Sequence, residues 1–196
     1  MRFAFGMLVV TVILLGACSD GKRRMHSWSE DVQLDDGRMI RVEREVELRQ
    51  TGGAGGPGSS YELRSMIRFP HEMLLPDWEI PLRALVLYRD ADTQEWAIVA
   101  SPSICPLWEE RGSPPGGYFE FRSKGSWWAP VPLAETSHGR KTNLLVAYDG
   151  RELPAHVTLD DKKQHQSSGL SDEHELSIDL APGVFKCAPY RTQQQQ

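Results

Sequence analysis

The stretch from Met39 to Arg49 constrains the fold more than any other part of the chain. Ile40, Val42, Val46 and Leu48 alternate there with Arg41, Glu43, Glu45, Glu47 and Arg49. A period of two sends successive side chains to opposite faces, which makes this a half-buried strand with one charged face. Trp28, Val32 and Leu34 mark a preceding strand, and Asp35-Asp36-Gly37 joins the two. An Asp-Gly turn accommodates the positive φ of a type I′ hairpin, so Trp28–Gln50 is predicted as one hairpin.

The same pattern recurs downstream. Tyr61, Leu63, Ser65, Ile67 and Phe69 alternate with polar neighbours. The Gly-rich run from Thr51 to Ser60 is a flexible loop on composition. It is not a phosphate loop, because no Gly-Lys-Ser/Thr ending and no helix signal follow it. Leu82–Tyr88 and Trp96–Ala100 flank Asp90–Gln94 as a second hairpin, and the first of these runs is apolar on both faces, as a central strand is. Tyr118–Arg122 and Ser126–Val131 form a third pair across Ser123-Lys124-Gly125. Asn143–Tyr148 ends at Asp149-Gly150, Ala155–Leu159 follows, and Leu176, Ile178 and Leu180 alternate near the end. Short helices are predicted at Ile104–Glu110 and Leu159–Gln166, and mobile segments at Gln166–Asp172 and Thr192–Gln196. Thirteen prolines and seventeen glycines punctuate the short strands. The expectation is an all-β fold with one or two short helices at most, built as a β-sandwich or a small barrel of antiparallel hairpins.

With 196 residues, 40% of them hydrophobic, the chain supports one folded domain and is not disordered throughout. A formal charge of -5 argues against a nucleic-acid partner, whose phosphates are neutralised by basic patches.

Arg2 precedes an apolar run from Phe3 to Leu15. As a helix that run is about 20 Å long, short of the roughly 30 Å hydrocarbon core, and so suits a signal peptide rather than a membrane span. Leu15-Gly16-Ala17-Cys18 resembles the lipobox of bacterial lipoproteins. The resemblance implies diacylglyceryl transfer to the Cys18 sulfur, cleavage before Cys18, and acylation of the new amine. Several acyl chains anchor a protein durably where one does not. The competing reading is an ordinary cleaved leader that happens to be followed by a cysteine. Ser19 directly after the cysteine points, in Gram-negative lipoproteins, to the outer membrane rather than the inner. Lys22, Arg23 and Arg24 then read as a basic, solvated tether. Loss of Arg2 with the leader takes the side-chain charge from -5 to -6. The expected organisation is a leader over 1–17, a lipidated tether over 18–25, a β-rich domain over 26–191 and a frayed tail over 192–196.

If Cys18 carries lipid, Cys105 and Cys187 are left as an even pair in an oxidising compartment, which predicts a disulfide between them. The rival is a cysteine nucleophile with a histidine base, for which no local signature exists. Other chemistry also lacks a signature. His71-Glu72 and His174-Glu175 are not followed by the second histidine of a zinc-protease helix. His26, His138, His156 and His165 are scattered, although sequence leaves a pairing of His138 with His156 in space open. There is no Gly-x-Ser-x-Gly elbow, and the one Ser-x-x-Lys lies at Ser19–Lys22 beside the anchor. Asp35-Asp36-Gly37 lacks the ligand spacing of a calcium loop. No catalytic residue, metal or cofactor is assigned. Trp127 and Trp128 would face opposite ways in an extended segment, one entering the core and the other available to stack on a glycan or grip a protein. The alternative is that nearby loops such as Arg111–Gly117 cover both.

Three short motifs, Trp28-x-Glu30-x-Val32-x-Leu34-x-Asp36-Gly37-Arg38, Arg140-Lys141-x-Asn143-Leu144-Leu145 and Leu153-Pro154-x-His156-Val157-Thr158-Leu159, resemble an uncharacterised group of Gram-negative envelope proteins. That group carries no assigned activity, so the resemblance implies a location and no catalytic residue. The functional expectation is an outer-membrane lipoprotein facing the periplasm, held to the membrane through Cys18, with a non-enzymatic binding or structural role toward an envelope protein or glycan. An inhibitor or immunity lipoprotein acting on a periplasmic hydrolase is the alternative, and an enzyme acting on the cell wall is a further one.

Overall fold

The computed structural model describes residues 22–50, 60–146, 153–167, 176–180 and 187. The leader, Cys18, most of the Gly-rich loop, and the expected mobile ends over 168–172 and 192–196 lie outside the described residues. So does the Asp149-Gly150 turn.

The first sheet is built on the hairpin of β1 (Arg23–Gln33) and β2 (Met39–Gln50), paired antiparallel along their full length. Strand β1 therefore starts at Arg23, and Arg23 and Arg24 pair with Arg49 and Leu48 instead of forming part of a tether. The turn differs from the predicted type I′. Gly37 N–H donates to Leu34 O, Leu34 N–H donates to Arg38 O, and within the turn only Gly37, at φ +81°, has a positive φ. This is a three-residue loop closed by a left-handed glycine, which leaves both aspartates in ordinary backbone conformations.

Antiparallel to β2 runs β3 (Ser60–Arg68), followed by β4 (Trp78–Ile80) at the edge. The predicted alternation of β3 is broken at Leu63, where a bulge shifts the register. Glu62 instead of Leu63 then turns inward with Ser65 and Ile67, and Arg83 Nε donates to Glu62 Oε1 at 3.0 Å. On the other edge, β9 (His156–Val157) pairs with β1 in parallel, a departure from a purely hairpin-built sheet.

The second sheet is β5 (Arg83–Arg89), β6 (Trp96–Ser101), β7 (Phe119–Ser123) and β8 (Trp128–Val131), in that order and all antiparallel. As its composition predicts, β5 is buried on both faces, but it is the edge strand of this sheet and not a central one; the segment over 143–146 covers its free side. The two sheets face each other across one core. Val32, Leu34, Val42, Ile67 and Trp78 of the first meet Leu87, Ile98, Phe121 and Trp128 of the second. The result is two separate open sheets and not a closed barrel.

Among the described residues there are two short α-helices, α1 (Cys105–Glu110) and α2 (Leu159–Ser167), so Gln166 and Ser167 belong to a helix rather than to a mobile segment. Cys105 is bonded to Cys187, tying the last described residue to the middle of the chain across a separation of 82 residues. In the chain-entropy account, closing a loop that long stabilises the fold by roughly 4 kcal/mol. Leu176–Leu180 is not a regular strand; it meets Lys141 through one bridge at Ser177 and buries Ile178. Asn143–Val146 runs along the open edge of β5. The Asn143 amide there takes the N–H of Leu87 on Oδ1 and donates to Leu87 O and Gln33 O. One side chain thus closes a sheet edge that would otherwise invite pairing.

The inward faces of β1 and β2 each carry one charge. Glu30 and Arg44 are almost fully buried and joined by a 2.7 Å hydrogen bond from Arg44 Nη1, and the guanidinium lies over the Trp28 ring. Lys162 of α2 reaches the same carboxylate at 2.5 Å and also donates to Asp31 O and Asn143 O. Leu145 N–H completes the set on Glu30 Oε2. Burial lowers the Lys162 pKa, and Glu30 opposes that shift. Glu30→Leu should cost about 3–5 kcal/mol in urea unfolding, because it leaves two buried cations without their anion. Lys162→Met, which leaves the Glu30–Arg44 pair intact, should cost distinctly less in the same measurement.

Candidate functional site

Strands in the two sheets run so that the molecule has two ends. At one end lie Lys22, where the chain enters, together with Gln50, Ser60, Ser101 and Cys105; Gln50 N–H bonds Lys22 O, and Glu62 N–H bonds Ser103 Oγ. At the other end lie the β1–β2 turn, the segment Pro70–Pro76, the β5–β6 turn and the β7–β8 turn. With eleven residues in β1, the ends stand roughly 35 Å apart.

Of the four exposed large hydrophobic side chains among the described residues, Met39, Leu74 and Trp127 lie at the far end and Met25 at the entry end. Leu74 is 87% exposed and sits at φ +52°, a left-handed conformation that costs an L-residue about 1–2 kcal/mol. Trp127 is 56% exposed at the tip of a tight turn in which Lys124 N–H bonds Trp127 O. Its neighbour Trp128 turns inward, stacks against Phe69 at 5.7 Å, and donates from Nε1 to Pro76 O at 2.9 Å. Of the two tryptophans, only Trp127 is available as a surface; Trp128 is core. The loop over 111–117 covers neither of them. Pro114 O in that loop accepts from Trp108 Nε1, so it folds back on α1.

The turns of the far end are cross-braced by side-chain bonds. Trp96 N–H bonds Ser123 Oγ, Lys124 pairs with Glu95, and Arg122 reaches Asp90 Oδ2 at 3.0 Å and Glu120 Oε1 at 2.8 Å. The Asp90 carboxylate also takes the N–H groups of Asp92 and Thr93, and its pKa falls to about 2. The Thr93 backbone bond is the largest cause of that shift, and Arg122 adds to it. Behind this turn, Tyr88, Ser137 and Glu120 form a sealed set. Tyr88 Oη and Ser137 Oγ both bond the Glu120 carboxylate, and none of the three is open to solvent. Ser137 therefore clamps the 134–137 segment onto the second sheet.

One hydroxyl–imidazole–carboxylate arrangement does occur. Ser29 Oγ lies 2.9 Å from His156 Nδ1, and His156 Nε2 lies 3.3 Å from Asp31 Oδ2. A catalytic triad uses the ring the other way round, with the nucleophile on Nε2, and also needs donors for an oxyanion. Arg41 Nη2 stands 3.3 Å from the same Nε2, and Ser29 N–H already bonds Ala155 O. The cluster lies on the outer face of the first sheet, where it clasps β9 to β1. His138 is exposed at the 135–137 turn and no contact joins it to His156; His174 lies outside the described residues. Among the described residues no group of three metal-ligating side chains forms.

The chain matches no protein-family model, no curated protein and no solved structure.

Sequence reading missed Glu30, Arg44, Glu120 and Lys162. The signal for the first two was present, since a period-two register puts Glu30 and Arg44 in line with Val32 and Val46. Trp127→Ala should leave stability within about 0.5 kcal/mol of wild type, whereas Trp128→Ala should cost about 3–5 kcal/mol, both by denaturant unfolding. The Asp90 carboxylate is held below its unfolded value of 3.8. Its stabilisation is therefore complete above pH 4 and is lost as pH falls from about 4 to about 2. Unfolding measured from pH 5 to pH 2 should show a drop of about 2 kcal/mol from this group, absent in Asp90→Asn.

Proposed function

We propose that this chain is a lipid-anchored envelope lipoprotein with a non-enzymatic binding role, tethered through Cys18 at one end and engaging its partner with the other. The observation that carries the reading is polarity. The lipobox-like Leu15-Gly16-Ala17-Cys18 stands about five residues before β1, a reach of at most ~18 Å, so an anchor there holds the entry end close to the bilayer. The exposed Met39, Leu74 and Trp127 lie at the opposite end. A protein that only coated the membrane would have its apolar side chains beside the anchor. The Cys105–Cys187 bond fits the same reading, because it uses the other two cysteines and suits an oxidising compartment. Binding is favoured over catalysis because the far end presents exposed apolar tips, Met39, Leu74 and Trp127, on turns braced by side-chain bonds. Outer-membrane placement, facing the periplasm, rests on Ser19.

Labelling with radioactive palmitate and membrane fractionation test the anchor. Wild type should incorporate label and sediment with membranes, and Cys18→Ala should do neither. Equal labelling of both would overturn the reading.

A further inference from the structure

Between the β1–β2 turn, the Pro70–Met73 segment and the ends of β5 and β6 lies a hollow of about 470 Å³. Arg38, Arg41 and Arg89 are among its lining residues, with Glu72. The Arg41 guanidinium is turned away to Asp31 and His156 on the outer face of the first sheet, which leaves Arg38 and Arg89 to present theirs. The remaining walls are apolar, from Met39, Met73 and the half-buried Trp96.

Arg38 spends Nε on Asp36, and Arg89 spends Nε on Gln94 O. Among the described residues, neither arginine bonds anything through its terminal Nη atoms. Two forks are therefore left open toward solvent, and a guanidinium fork matches a carboxylate in two parallel hydrogen bonds. Arg41 is engaged by Asp31 at 3.5 Å and by His156 at 3.3 Å and is not counted among the open forks. The exposed Met39 forms both a wall of the hollow and its rim, and Leu74 projects directly after Met73.

We propose that this hollow docks an acidic loop of a protein partner, with one or two carboxylates on Arg38 and Arg89 and an adjacent aliphatic or aromatic side chain against Trp96 and Met39. The proposal deepens the binding role proposed above and rests on it. With the anchor at the entry end, the hollow lies roughly 35 Å away along β1 and is presented to the aqueous compartment instead of a bilayer. Two features set the occupant's chemistry: the open forks of Arg38 and Arg89, and the apolar wall beside them. Flexible lysines could hold a diffuse anion, but planar guanidiniums beside an indole suit a carboxylate carried on an apolar segment.

The test uses the purified full chain in detergent and a phage-displayed pool of random dodecapeptides as the probe. Wild type should enrich peptides with Asp or Glu next to Leu, Phe or Trp. Arg38→Glu/Arg89→Glu should bind those peptides at least tenfold more weakly, and Leu74→Ser should weaken them by a smaller factor. A thermal melt that matches wild type shows that the charge reversal leaves the fold intact. Arg89→Gln, which keeps the fold's charge closer to wild type, should give an intermediate loss. The docking proposal is overturned by no enrichment, by enrichment of basic peptides, or by binding that ignores the reversal. It is also overturned if phosphatidylglycerol vesicles or purified peptidoglycan bind through the same arginines in preference to the peptides. The selection does not require Cys18 to carry lipid, so an empty selection leaves the anchor reading standing, and unlabelled Cys18 leaves the docking result standing.

Discussion

The Glu30 carboxylate is the point on which this fold depends. It is fully buried in the first hairpin, yet its partners come from three separate parts of the chain: Arg44 on β2, the Leu145 amide beside the second sheet, and Lys162 on α2. A buried carboxylate without partners is costly enough that the structure must bring all three to it. Arg44 is local, since the hairpin register delivers it. The other two are not, and they oblige the later third of the chain to pack against β1. The parallel pairing of β9 with β1 and the seating of α2 follow from that requirement.

The second sheet solves the same problem in its own way. Glu120 is as buried as Glu30 and receives bonds from Tyr88, Arg122, Ser137 and the Ala134 amide. Asn143 sits between the sheets and bonds β5 on one side and Gln33 of β1 on the other. Polar side chains thus align two sheets whose apolar contacts alone would tolerate sliding. That rigidity matters for the far end of the molecule. Four turns from both sheets converge there, and a binding surface assembled from turns keeps its shape only if the sheets beneath it are locked.

A consequence is the division of labour between the two ends. The entry end carries the disulfide and the start of β1, features that resist pulling and unfolding where a tether would load the domain. The far end carries the exposed apolar tips, the arginine-lined hollow and the left-handed Leu74. Holding a large apolar residue exposed in an unfavourable backbone conformation costs stability, and on the binding role proposed above that cost falls at the contact surface.

Local chemistry in the sequence was enough to determine the all-β character, the hairpins at 28–50, 82–100 and 118–131 and the two short helices, while for Trp127 and Trp128 it left open whether one or neither is exposed, and the fold decided that. Each of these depends on a period of two, a turn residue or an apolar run within a dozen positions. The pairing of Cys105 with Cys187 was legible only on the reading that sets Cys18 aside for lipid, since the chain has three cysteines. Tertiary structure decided what local pattern cannot carry. The bulge at Leu63 turns Glu62 inward because Arg83 of the other sheet is there to meet it. Likewise, β9 lies parallel to β1, and the run over 176–180 is a single bridge, because the edges available to them were set elsewhere. The hollow is likewise invisible in sequence: Arg38, Pro70, Arg89 and Trp96 are neighbours only after two sheets have stacked with their turns at one end. Alternation tells a strand which face to bury; only packing tells it against what.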